Sequence, residues 1–167
     1  MKPARFTILV VDDDLNDRSL IKRAIEAIDV PAELRLVNCG EEAIAYLKGE
    51  KAFANRAEHP YPSILTTDLK MPRGDGLSIL AFLKSTPQSA IILTVVLSAS
   101  GDMDDVKKAY MLGATAYIVK PVQYGELERI IKRLVDFWML WELPQIDEAG
   151  EPLRTESCGK LGERFPQ

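Results

Sequence analysis

Five short apolar runs alternate along the chain with segments whose apolar residues recur at helical spacing, and this alternation restricts the possible folds most. The first run, Phe6 to Val11, reads F-T-I-L-V-V. Such an almost unbroken apolar stretch, rich in β-branched residues, suits a parallel strand covered on both faces. Leu20, Ile21, Ala24, Ile25 and Ile28 then recur at helical spacing, with Asp17, Arg18, Lys22, Arg23 and Glu26 on the opposite side, which predicts an amphipathic helix. The pattern repeats with strands over Glu33 to Val37, Ser63 to Thr67, Ile91 to Leu97 and Thr115 to Val119. Helices are predicted over Glu41 to Lys48, Gly76 to Lys84, Asp104 to Leu112 and Gly125 to about Trp141, the last with a core stripe of Leu127, Ile130, Ile131, Leu134 and Trp138.

Strand and helix pairs of this length require parallel strands, and right-handed crossovers narrow the topology further. The expected fold is α/β, a doubly wound five-stranded parallel sheet of flavodoxin-like (βα)5 type with strand order 2-1-3-4-5. With 167 residues, 47% of them hydrophobic, one domain can bury a sizeable core without staples. That domain is expected over residues 1–143, with Pro144 to Gln167 as a polar extension or mobile tail and no separate output domain. Lys2 and Arg5 lead straight into the first strand, without a signal-peptide pattern, and no apolar run has the length of a membrane span, so a cytoplasmic protein without membrane contact is expected. Cys39 and Cys158 lack the spacing of a zinc or redox pair. A net charge of -4 and scattered basic residues argue against nucleic acid.

In open parallel sheets, ligands bind beyond the carboxyl ends of the strands. Polar residues cluster there: Asp12, Asp13 and Asp14 end the first strand, Asp68 the third, Ser98 the fourth and Lys120 the fifth. Carboxylates crowded at one rim repel each other unless a cation neutralises them. Oxygen ligands completed by water favour Mg²⁺, or Mn²⁺ in its place, over zinc. A carboxylate, a hard metal, the Lys120 ammonium and a hydroxyl meet the needs of phosphoryl transfer, which relies on positioning and charge neutralisation. Asp68 is then the nucleophile.

These landmarks, V-V-D-D-D at Asp12, D-L-K-M-P-R-G-D-G at Asp68, L-S-A-S at Ser98 and Y-I-V-K-P at Lys120, resemble the CheY-like receiver domains of two-component response regulators, from about Phe6 to Trp141. The resemblance implies that Asp68 is phosphorylated by a cognate sensor histidine kinase. It implies further that Asp13 and Asp68 ligate Mg²⁺ directly, that Asp12 acts through water, and that the backbone carbonyl of Lys70 completes the protein ligands. Ser98 would hydrogen-bond the phosphoryl group, Lys120 would pair with it, and Tyr117 would swing inward as Ser98 shifts. The changed surface would be the fourth helix, fifth strand and fifth helix. Such a chain phosphorylates and dephosphorylates itself and turns over no separate substrate. Lys70 departs from the family pattern, in which asparagine or an acidic residue is commoner, and its ammonium is expected to screen the phosphoryl group from water.

The loop Lys51 to Ser63 and the ending D-F-W-M-L-W-E-L-P from Asp136 resemble single-domain regulators paired with phytochrome-type kinases, in which the carboxyl-terminal segment helps form dimers. Independently, Phe137 to Trp141 is five consecutive large apolar residues, and a helix turning about 100° per residue points them in every direction. A homodimer contact through Phe137, Trp138, Leu140 and Trp141 is therefore expected. His59 reads as a loop residue and Asp75 as turn chemistry before a helix. Two other functions use the same features. A haloacid-dehalogenase-type phosphohydrolase would put the nucleophile at Asp12, but it expects Thr or Val where Asn16 stands and a late acidic pair that is absent after Lys120. A pseudo-receiver would use the fold as an interaction module without phosphorylation. A DNA-binding output is disfavoured because few residues follow Trp141.

Overall fold

The five apolar runs become β1 (Phe6–Val11), β2 (Ala32–Val37), β3 (Ile64–Thr67), β4 (Leu93–Ser98) and β5 (Ala116–Val119). Between and after them lie α1 (Leu15–Glu26), α2 (Gly40–Lys48), α3 (Gly76–Ser85), α4 (Met103–Met111) and α5 (Tyr124–Trp138). The structure is a computed structural model and describes residues 6–142, 146–147 and 149–151. Lys2, Arg5, Cys158 and most of the extension expected from Pro144 onward lie outside the described residues.

All strand pairs are parallel, in the order β2-β1-β3-β4-β5. Register aligns Val11 with Thr67, so the residues that follow, Asp12 and Asp68, leave the sheet side by side. Thr67 in turn pairs with Val96, and Ser98 with Val119, which brings Ser98 and Lys120 to the same rim. Both faces of β1 are buried, which explains its unbroken apolar run. Ile8 and Val10 pack beneath α1 and α5 against Ile21, Ile25, Leu127, Ile131, Val135 and Trp138. Leu9 and Val11 face the α2 and α3 side with Tyr46, Leu47, Leu65, Ile79 and Leu83.

Helix α5 ends earlier than its apolar sequence suggests. Leu140 N–H bonds the Phe137 carbonyl and Trp141 N–H the Trp138 carbonyl, each at 3.0 Å, and these tight i−3 bonds close the last turn. Its buried stripe is Leu127, Ile131, Val135 and Trp138, with Val135 rather than Leu134 turned fully inward. Trp138 therefore belongs to the core of the subunit, which corrects its placement on a contact surface. Phe137 and Leu140 are exposed, and the partly buried Trp141 ring meets Phe137 edge-on at 4.9 Å.

The loop after α2 is pinned rather than loose. Arg56 donates to the carbonyls of Tyr46 and Leu47 at 2.8 and 2.7 Å, satisfying the open end of α2, and His59 packs edge-on against Tyr46 and Phe53. Farther along, Ile146 packs on the α2 and α3 layer, and Gly150 lies against the Tyr61 ring. No helix among the described residues is long and apolar enough to cross a membrane.

Gly76 starts α3 against the Asp68 carbonyl and Leu69, where a methyl group has no room. Gly125, in the first turn of α5, faces open space. Gly76→Ala is expected to lower stability by about 1–3 kcal/mol, whereas Gly125→Ala leaves it unchanged or raises it by about 0.5–1 kcal/mol. Urea unfolding midpoints of the two variants check this.

Candidate functional site

The three aspartates after β1 divide the work at the rim. Asp12 is buried; its Oδ1 accepts from the Asp14 N–H at 2.9 Å, and its carbonyl accepts from the Arg18 guanidinium. Asp14 caps α1, accepting from the N–H groups of Asn16 and Asp17 at 2.7 and 3.1 Å, and these bonds hold its carboxyl below the ordinary range. Asp13 is left at the exposed mouth. Asp68 is tied to β1 through its N–H on the Val11 carbonyl at 2.9 Å, and its Oδ1 accepts from the Leu69 N–H at 2.6 Å. Asp75 caps α3 through Ser78, as its turn chemistry predicts.

Lys120 follows β5, where its N–H bonds the Ser98 carbonyl at 2.7 Å. Its ammonium donates to Asp12 Oδ2 at 2.6 Å, Asp17 Oδ2 at 2.8 Å and Asp68 Oδ2 at 3.1 Å. Three protons thus meet three carboxylates. Burial works against the charged lysine, but hydrogen bonds to Asp12 and Asp17 and the charges of Asp12 and Asp68 outweigh it and hold its pKa above the usual lysine range. For Asp12 the balance differs. Burial raises its carboxyl more than Lys120 lowers it, and the Asp68 charge adds in the same direction. The rim therefore has more negative charge than one lysine can neutralise.

Asp12, Asp13 and Asp68 each offer an oxygen, all within 4.8 Å of one another. Carboxylate oxygens alone, without histidine or thiolate, fit a hard divalent cation. Ser98 is buried at the end of β4, the strand paired with the β3 that precedes Asp68, and its Oγ accepts from the Ser100 N–H at 3.2 Å. Tyr117 donates its hydroxyl to the Ser100 carbonyl at 2.8 Å. Lys70 turns toward α4, where its ammonium lies 3.2 Å from Asp105 Oδ2. The Ser100 hydroxyl donates to the same oxygen at 2.7 Å, and with Lys70 it keeps the Asp105 carboxyl below its ordinary range.

Asp12, Asp13, Asp68 and Lys120 come together as their positions at strand ends predict. Four participants carry weaker sequence signals. Arg18, Ser100 and Asp105 read as ordinary polar positions. Asp17 reads as one acid on the polar face of α1, and the only clue to its role is its place in the first turn, three residues after the capping Asp14.

Comparison with known proteins gives matches along most of the chain. The response regulator receiver domain matches residues 8–132. Response regulator Rcp1 of Synechocystis sp. is 30% identical over 132 residues, covering 79% of this chain and 88% of its own. Among solved structures, the phosphorylated cyanobacterial phytochrome response regulator RcpA is 36% identical with a TM-score of 0.80, covering 85% of this chain and all (100%) of its own. The Mn²⁺-bound form of Rcp1 gives 29% identity and a TM-score of 0.79, covering 84% and 99%.

A cation that binds only the folded rim stabilises it by mass action, about 1.4 kcal/mol at a ten-fold excess over Kd. Adding Mg²⁺ to metal-free protein is expected to raise the thermal midpoint, and Asp13→Asn to remove most of that rise. Differential scanning calorimetry measures both.

Proposed function

The chain belongs to the response regulator receiver family, and from that premise we propose that Asp68 accepts a phosphoryl group from the phosphohistidine of a sensor histidine kinase of phytochrome type. An oxygen of the Asp68 carboxylate attacks phosphorus. The O–P bond forms as the P–N bond to the donor imidazole breaks; the electron pair leaves with the nitrogen, which takes a proton from solvent. The observation that carries this reading is the Lys120 ammonium, 3.1 Å from Asp68 Oδ2 at the edge of a three-carboxylate cluster. It is positioned to pair with phosphoryl oxygens as charge gathers there.

Asp12, Asp13, Asp68 and the backbone carbonyl of Lys70 would hold Mg²⁺, with Mn²⁺ as a substitute; Rcp1 is known in a Mn²⁺-bound form. When bound, the ion supplies the positive charge that the rim lacks. Ser98 would donate a hydrogen bond from its hydroxyl to a phosphoryl oxygen, and a shift of Oγ toward that oxygen would draw it away from the Ser100 N–H. Tyr117 is bonded to the carbonyl of the same Ser100, so a shift of that segment frees Tyr117 to turn inward and alters α4, β5 and α5. Both changes follow from contacts that the phosphoryl group makes in one state only.

A phosphohydrolase acting through Asp12 is disfavoured by burial. Asp12 is 1% exposed and cannot meet a donor, while Asp68 is only partly buried. The response regulators similar to this chain act in signalling: RcpA belongs with a phytochrome, and RPA3017 of R. palustris, 33% identical, is in red light signalling. We assign the chain a cytoplasmic role without nucleic-acid contact. The exposed Phe137 and Leu140, next to Trp141, support a homodimer through the end of α5.

Purified phytochrome-type kinases carrying labelled phosphohistidine are expected to transfer label to the chain within minutes, and Asp68→Asn to receive none; transfer to both alike would refute the assignment. In sedimentation, Phe137→Ser with Leu140→Ser is expected to turn a micromolar dimer into a monomer. A wild-type monomer at that concentration would remove the dimer.

A further inference from the structure

We infer that Asp17 is a positioning residue, whose carboxylate anchors the Lys120 ammonium so that its remaining proton donor faces the phosphoryl group arriving at Asp68. The inference rests on Asp68 being the phosphoryl acceptor. Lys120 carries its charge on a flexible four-carbon stem, and three carboxylates fix where that charge sits. Of these, Asp12 and Asp68 also belong to the three-carboxylate cluster that fits a divalent cation. Asp17 lies outside that cluster, yet its Oδ2 is 2.8 Å from Nζ across 103 positions of sequence. Its hold on Lys120 is the one for which a bound cation does not compete.

The distances assign the remaining roles. The contact to Asp68 is the longest of the three at 3.1 Å, and it points where the phosphoryl oxygens come to lie. It is therefore the bond exchanged for one to phosphate, while the shorter bonds to Asp12 and Asp17 keep the ammonium in place. An acid in the first turn of a helix also favours the helix dipole, but Asp14 already caps α1. The Asp17 side chain instead lies mostly covered, about one-fifth exposed at 21%, with an oxygen on Lys120.

The test compares wild type, Asp17→Asn and Asp17→Glu, using phosphoramidate as donor; its P–N bond breaks as the O–P bond to Asp68 forms, and the nitrogen leaves as ammonia after protonation. Three quantities are read: the phosphorylation rate at saturating Mg²⁺, the Mg²⁺ concentration giving half that rate, and the ¹⁵N-detected ammonium signal of Lys120. Loss of one charge-assisted hydrogen bond that sets geometry is expected to slow Asp17→Asn about ten-fold at saturating Mg²⁺. Half-saturation is expected to move less than about three-fold, as Asp17 is not in the cation cluster. The Lys120 signal should be sharp in wild type, broadened in Asp17→Asn and partly recovered, with the rate, in Asp17→Glu. An unchanged saturated rate and an unchanged Lys120 signal in a folded Asp17→Asn would overturn the inference. If wild type itself takes up no phosphoryl group, the acceptor reading fails, and an unmoved Lys120 signal then overturns the anchoring role separately.

Discussion

One buried ammonium surrounded by carboxylates organises this molecule. Lys120 reaches from the end of β5 to Asp12 beyond β1, Asp17 in α1 and Asp68 beyond β3, so a single side chain links three segments distant in sequence. Burying these charges is costly unless each meets a partner. Here the ammonium has three partners, while the carboxylates together have too little positive charge. That imbalance makes the rim receptive to a cation, and it would couple the folded state to the chemistry proposed at Asp68.

The sheet makes this arrangement possible. Parallel register puts the carboxyl ends of β1, β3, β4 and β5 at one edge, and the residues after β1, β3 and β5 are held by backbone bonds to a neighbouring strand, Asp12 on Val37, Asp68 on Val11 and Lys120 on Ser98. Close packing beneath the site leaves little freedom to move: Gly76 admits the Asp68 carbonyl where no other side chain would fit. Bonds that can break lie at the margin of this frame, among Ser98, Ser100, Tyr117, Asp105 and Lys70. Rigidity below and polar contacts above suit the proposed role, in which one covalent change is reported to a distant surface.

Much of this was legible in the sequence because fully buried strands and strand-end polar residues leave strong marks. F-T-I-L-V-V, apolar and β-branched, reads as a strand covered on both faces, and Asp68 directly follows another of the strand-like segments, S-I-L-T-T. Features that depend on where a long side chain bends left weaker marks. Asp17 looks like any solvated acid on an amphipathic helix, and only tertiary structure brings Lys120 to it. The Lys70 ammonium can face the mouth or α4, and Asp105 decides for α4. The end of α5 was hidden by M-L-W, which contains neither glycine nor proline to mark a stop, so a helix to Trp141 fitted the pattern although its hydrogen bonds tighten after Trp138. Trp138 satisfies both the core stripe and the apolar cluster, and packing under α1 determines which one it serves.

The central claim is that this cluster of charges allows one carboxylate, at position 68, to carry a phosphoryl group. Treating the chain with phosphoramidate and Mg²⁺, reducing it with borohydride and mapping the peptides by mass converts an acyl phosphate into an alcohol at the residue that held it. The account predicts reduction at Asp68 alone, dependent on Mg²⁺. Reduction at Asp12 or Asp13, or none at any residue, would contradict it.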